Sequence, residues 1–151
     1  MQGINLLEIF KDMPEYAIMK IRGDLFPEYK KGQDIDIVCR YSPDVCEYLL
    51  QIFSAGNVRF SCRGKGHIHF DIMDKKKIEL RFDLYAEFIS PKFTEDILQW
   101  KQNVKYGEYE VWITSIHQDI LIKAWEYKTN KKRKYRDFAQ YIHGLDAYTD
   151  R

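Results

Sequence analysis

Between Lys77 and Tyr85 the apolar residues Ile78, Leu80, Phe82 and Leu84 alternate with Glu79, Arg81, Asp83 and Tyr85. A period of two marks a strand with one face in a core and the other polar. Similar stretches run from Tyr16 to Ile21, from Val58 to Arg63 and from His67 to Met73, and Asp74-Lys75-Lys76 reads as the tight turn leading into the 77–85 strand. Helical spacing appears instead at Leu6, Leu7 and Phe10, ahead of Pro14, which cannot sit inside a helix. Ser42 reads as the N-cap of a second helix, with Pro43 at its first position and Asp44 near the positive end of its dipole. That helix should run through Leu49 and Phe53 to a stop at Gly56-Asn57.

Beyond Pro91 the pattern changes. Thr94 predicts the cap of a short helix, Tyr109–Ile113 a last strand, and Ser115-Ile-His-Gln118 a capping box ahead of the stripe Ile120, Leu121, Ala124 and Trp125. A terminal helix should use Phe138, Ala139, Tyr141, Ile142 and Leu145. Strands followed by helices predict an α+β chain with α/β-like character: a mixed, mostly antiparallel sheet, helices packed on one face, and a C-terminal helical segment. Residues 1–151 form one domain in this reading, with a sheet core in 1–90 and a mainly helical part in 91–151. Trp100, Trp112 and Trp125 fall in apolar patterns and are assigned to the core.

A chain of 151 residues, 45% apolar and 15% aromatic, is long enough for one well-packed domain. The formal charge of +1 hides a dense basic run from Lys128 to Arg136, flanked by Tyr127 and containing Tyr135. Such a run can meet nucleic-acid phosphates, although a solvated loop between helices is the plainer reading. The three cysteines have no CxxC or zinc-type spacing, which suits a reducing compartment, and Cys39 reads as a small core residue. No segment approaches ~20 uninterrupted apolar residues and the start lacks a signal-type core, so a cytoplasmic protein without membrane contact is expected.

The stretch GQDIDIVCRY raises a chemical question, because Asp34 and Asp36 share one face of a strand whose other face is apolar. Paired carboxylates repel and resist burial unless a positive charge stands between them. Residues i and i+2 of a strand lie about 6–7 Å apart on the same side. That spacing suits divalent cations in a two-metal site, where Mg²⁺ takes a few protein oxygens and leaves room for substrate phosphate. A solvated sheet face is the alternative. A third carboxylate comes from Asp83 in RFDLY or Asp71 in HIHFDIM. Asp83 is preferred, because its strand is longer, alternates better and directly precedes the helical tail. His67, His69 and Asp71 share a strand face and form a transition-metal pattern, although alternating histidines more often make a polar face.

In Ile21-Arg-Gly23-Asp24, a nine-residue loop, Asp34-Ile35-Asp36-Ile37 and later Phe82-Asp83-Leu84, the chain resembles the polymerase-β-like nucleotidyltransferase superfamily. Its second half, with Lys123 and Arg136-Asp137, is similar to the minimal, stand-alone AbiEii-type nucleotidyltransferases. The resemblance implies the nucleotidyltransferase fold. It also implies an enzyme that transfers a nucleoside monophosphate from an NTP, such as ATP, to a hydroxyl on a small molecule, sugar, protein or RNA. Asp34, Asp36 and Asp83 would be catalytic and would hold Mg²⁺ or Mn²⁺. Gly23 and Asp24 would border the phosphates, and Lys123 and Arg136 would clamp them. Two departures stand out: Asp24 replaces a small residue, and Gln140 stands where a second acid often follows Arg-Asp. Both suit a second reading, a catalytically silent nucleotidyltransferase-like binding or regulatory domain. A metal-dependent nuclease using Asp71 or Asp83 with Glu79 ranks below these.

Overall fold

A computed structural model describes residues 3–149. In chain order the elements are α1 (Leu6–Lys11), β1 (Tyr16–Ile18), β2 (Gln33–Cys39), α2 (Ser42–Leu50), β3 (Val58–Gly64), β4 (His67–Asp74), β5 (Lys77–Tyr85), α3 (Pro91–Trp100), β6 (Gln102–Tyr106), β7 (Tyr109–Ile113) and α4 (Ile116–Asn130). A 3₁₀ run (Arg133–Leu145) and α5 (Asp146–Thr149) complete the described chain. The seven strands form one sheet in the order β3-β4-β5-β2-β1-β7-β6. Pairing is parallel between β2 and β5 and between β1 and β7, and antiparallel elsewhere. The protein is therefore α+β with a mixed, mostly antiparallel sheet.

Alternation along the strands splits the core in two. Ile35, Ile37 and Cys39 of β2 join Phe82 and Leu84 of β5 in a cluster covered by Leu6, Ile9 and Phe10 of α1 and Val45 and Leu49 of α2. Ala17, Met19 and Val38, from the opposite sheet face, meet Phe93, Ile97 and Leu98 of α3, Leu121 and Ile122 of α4, and Leu145. Helices thus cover both faces, where the order of elements alone suggested one. The second face is covered incompletely, and the polar side chains of β2, β4 and β5 occupy the remainder.

Local chemistry explains where the element bounds depart from expectation. The Ser42 hydroxyl does not cap α2 but donates to the carbonyl of Gly66 at 2.6 Å, leaving Tyr41 at the cap position without a side-chain bond. The helix stops at Leu50, and a separate 3₁₀ turn spans Ala55–Asn57. Ser90, not Thr94, caps α3 by accepting from the amide of Phe93, while Thr94 Oγ1 accepts from the amide of Phe88 at 2.7 Å. The capping box of Ser115 and Gln118 is present. Strand β6 is an addition: QNVKY is too polar to announce itself, but Gly107, at φ +64°, turns it back onto β7.

Trp100 is 62% exposed and Trp112 also reaches solvent, so neither belongs to the core; the Lys101 ammonium lies 5.0 Å from the Trp112 ring centre. Trp125 does pack against the second cluster. The terminal segment is a 3₁₀ run, with Leu145 its buried residue. Cys39 and Cys46 are buried free thiols and Cys62 is an exposed one. No helix among the described residues is long and apolar enough to cross a membrane.

Phe82 is fully buried and meets Phe10 edge-on at 5.9 Å, on the face of β5 opposite Asp83. Phe82→Ala should lower unfolding free energy in urea by about 3–5 kcal/mol, through lost transfer energy and a residual cavity. A loss below about 1 kcal/mol would contradict this packing.

Candidate active site

Register decides which polar side chains meet. In the parallel β2–β5 pair Asp36 stands opposite Asp83 and Asp34 opposite Arg81. Across the antiparallel β4–β5 pair His69 lies opposite Asp83, His67 opposite Tyr85 and Asp71 opposite Arg81. All project to the side of the sheet that carries Val38, the face against which α3 and α4 pack. Asp34, Asp36 and Asp83 then line one cleft of about 370 Å³, together with Lys20, Asp24, Tyr85, Glu126, Lys132 and Lys134.

The positive charge beside the carboxylates comes from Lys20. Its Nζ lies 3.1 Å from Asp36 Oδ2 and 2.7 Å from Glu126 Oε1, so it bridges the sheet and α4. Burial works against its charge, but Asp36 and Glu126 outweigh that and raise its pKa above the ordinary lysine value. The Lys20 backbone is left-handed, at φ +59°, and its amide donates to Asp119 Oδ1 at 3.1 Å. Asp119 in turn accepts from Arg22 Nη1 at 2.9 Å, and Arg22 also donates to the Thr114 carbonyl at 2.7 Å. The first half of α4 thus holds the chain leaving β1 in a conformation that a lysine seldom adopts. Lys132 adds a second cation at 3.4 Å from Glu126 Oε2.

Asp83 is buried and Oδ1 receives two imidazoles, with His67 Nε2 at 2.5 Å and His69 Nε2 at 3.3 Å. The Tyr85 hydroxyl donates to its other oxygen at 3.3 Å. Burial, then the charges of Asp83 and Asp36, push the Tyr85 pKa up, which keeps the phenol protonated as a donor. Burial also lowers the His69 pKa against the pull of Asp83. Asp34 is the most open of the three acids. Desolvation in the cleft raises its pKa against the pull of Arg81, and Asp36 adds to the rise.

Asp71 stands apart from this set. Its carboxylate accepts from Arg81 Nε at 2.7 Å and from Arg59 at 3.1 Å. Burial would raise its pKa, but the two guanidiniums win and hold it below the usual range. It is a structural ion-pair residue, and Asp83 takes its place beside His67 and His69. Glu79 lies at the far end of β5, bonded to Tyr29 and Lys31, away from Asp83.

Among the other residues singled out in the sequence, Gly23 adopts φ +81°, a turn conformation suited to glycine, and borders a neighbouring shallow hollow with Asp24. Asp24 is exposed and its own Oδ1 accepts from the Leu25 amide. Lys123 sits over the Tyr135 and Phe138 rings, at 5.7 and 5.2 Å from their centres, and neither it nor Arg136 lines the cleft. From the basic run, Lys132 and Lys134 reach the cleft instead. Lys20 and Glu126 were missed by sequence reasoning. Their one local signal is that each charge interrupts a buried segment: Lys20 in AIMKI, and Glu126 on the packed side of α4.

Two donor sets therefore meet at Asp83. Asp34, Asp36 and Asp83 offer only carboxylate oxygens, the donor type that a hard ion such as Mg²⁺ or Mn²⁺ prefers, with Asp36 engaged by Lys20. His67, His69 and Asp83 offer two nitrogens and an oxygen, all within 4.8 Å of one another.

No family model matches the chain, and no curated protein matches it. Among solved structures, it is similar to an antigenic nucleotidyltransferase-like protein from Paracoccidioides brasiliensis, with 12% identity and a TM-score of 0.46. The match covers 83% of this chain and 64% of that one, so the chain spans less than two thirds of its length.

Asp71→Asn should lower stability near neutral pH by roughly 2–3 kcal/mol, below the cost at a fully buried pair because Arg59 is solvent-screened. The folded pKa of Asp71 lies below its ordinary 3.8. Its contribution is therefore complete above that value and fades as pH falls through the folded pKa. Urea melts at several pH values should show this acid-side component in the wild type and its loss in Asp71→Asn.

Proposed function

We propose that the chain is a metal-dependent nucleotidyltransferase, moving a nucleoside monophosphate from an NTP to a hydroxyl acceptor. The observation that carries this reading is the Asp36–Asp83 register pair, with Asp34 on the same face, in a cleft edged by three lysines. Attack on an α-phosphate needs a positioned hydroxyl, a proton acceptor and positive charge on the entering and leaving oxygens. The residues present answer each need.

Asp34, Asp36 and Asp83 would hold divalent cations, which supply Lewis acidity and neutralise phosphate charge when bound. Asp83 Oδ2, which accepts a long hydrogen bond from Tyr85, is the oxygen that takes the proton of the acceptor hydroxyl. The His67 hydrogen bond at Oδ1 orients that carboxylate. Lys132 and Lys134 stand at the cleft wall as cationic contacts for the departing pyrophosphate, in place of Lys123 and Arg136. Lys20 stabilises Asp36 and Glu126 together, and Glu126 would remain its partner were Asp36 to hold a cation. Asp24 borders the same cleft, its Oδ1 accepting from the Leu25 amide.

The Lys20–Asp36 contact also favours a second reading, a nucleotidyltransferase-like binding domain in which the ammonium permanently occupies the cation position. Calorimetry with each of the four Mg·NTPs separates the two. The enzymatic reading predicts Mg²⁺-dependent binding of at least one NTP, weakened at least about tenfold, or 1.4 kcal/mol, in Asp36→Asn. Failure of every NTP to bind the wild type would overturn it. Binding indifferent to both Mg²⁺ and Asp36→Asn would favour the silent domain.

A further inference from the structure

We propose that His67, His69 and Asp83 form a metal site of their own, a three-ligand centre for a zinc-class divalent transition ion, distinct in donors from the carboxylate pair Asp34 and Asp36. The site stands on its own donors whether or not the cleft transfers nucleotides, although it shares Asp83.

Strand geometry brings the donors together. His67 and His69 are i and i+2 on β4, so both imidazoles rise from one face, and register sets Asp83 directly across from His69. Both Nε2 atoms converge on the same oxygen, Asp83 Oδ1, at 2.5 and 3.3 Å. A tetrahedral ion with ligand bonds of 2.0–2.1 Å needs donor–donor edges of about 3.3 Å. His69 and Asp83 already have that spacing, and His67 need retreat by only about 0.8 Å.

The rings are held for this task. His67 stacks on Tyr85 with centres 4.1 Å apart, and His69 meets His67 edge-on at 5.2 Å. The side chains keep 23%, 15% and 10% of their surface for His67, His69 and Asp83, enough for an ion to enter and too little for the rings to swing freely. Arg81, the opposing cation beside them, is committed to Asp71 at 2.7 Å. Three protein ligands leave a fourth position for water or substrate, as in catalytic rather than structural centres. Two imidazoles also set the selectivity: nitrogen donors suit Zn²⁺, Co²⁺ or Fe²⁺, whereas Mg²⁺ prefers oxygen alone.

Untagged protein titrated with Co²⁺ and followed by visible d–d absorption tests the site, with a Zn²⁺ thermal-shift series as a second readout. The expected result is saturable binding of one ion, displaced by Zn²⁺ and not by excess Mg²⁺. His67→Gln/His69→Gln and Asp83→Asn should each weaken it by at least the ten- to hundredfold, roughly, that loss of an outer-shell partner costs. Asp34→Asn, which disables the carboxylate position, should leave it unchanged and so separates this site from the nucleotidyltransfer reading. No saturable Co²⁺ or Zn²⁺ binding by the wild type would overturn the proposal, even if a variant fails to fold. Binding unaltered in a folded His67→Gln/His69→Gln variant would overturn it equally.

Discussion

The ammonium of Lys20, held between Asp36 of the sheet and Glu126 of α4, is the contact on which the arrangement turns. Asp36, half-buried on the face toward the helical layer, needs a compensating charge, because desolvation penalises a carboxylate more than an apolar replacement. Lys20 supplies that charge at the end of β1, in a left-handed turn that Asp119 secures from α4. One lysine therefore ties together the acid-bearing strand, the exit from β1 and the helix that walls the cleft.

Around this contact the inner sheet face divides by chemistry rather than by sequence position. At one end Asp71 is closed off by Arg81 and Arg59 and serves stability. In the middle Asp83 lies between Asp36 on one side and His69 on the other. It is the junction of an oxygen-rich and a nitrogen-rich donor set. Asp34, at the open end, keeps solvent contact. Neighbouring aspartates on one sheet face thus acquire different characters from partners on four strands.

Much of this was legible in the chain, for identifiable reasons. The alternation in KIELRFDLY and in GQDIDIVC fixes which residues share a face, so the polar row of β5 and the Asp34–Asp36 pair follow from local pattern. The preference for Asp83 over Asp71 rested on strand length and alternation, and the ladder provides a more direct distinction: Asp83 pairs with Asp36, whereas Asp71 pairs with an arginine. What local pattern cannot supply is long-range pairing. Lys20 and Glu126 are 106 residues apart, and the chain offers no periodicity that joins them. The same limit explains Ser42, a good cap by its own chemistry that is drawn away by the Gly66 carbonyl from the β3–β4 turn. Trp100 and Trp112 show the converse, aromatic residues in apolar company that the fold leaves at the surface.

Diffraction from crystals grown with Mn²⁺ and a non-hydrolysable NTP analogue tests whether Asp34, Asp36 and Asp83 form a cation and nucleotide position guarded by Lys20. The expected result is an anomalous peak bounded by Asp34, Asp36 and Asp83, with the Lys20 ammonium withdrawn from Asp36 and still on Glu126. Bound analogue with no peak there, and Lys20 still on Asp36, would contradict it.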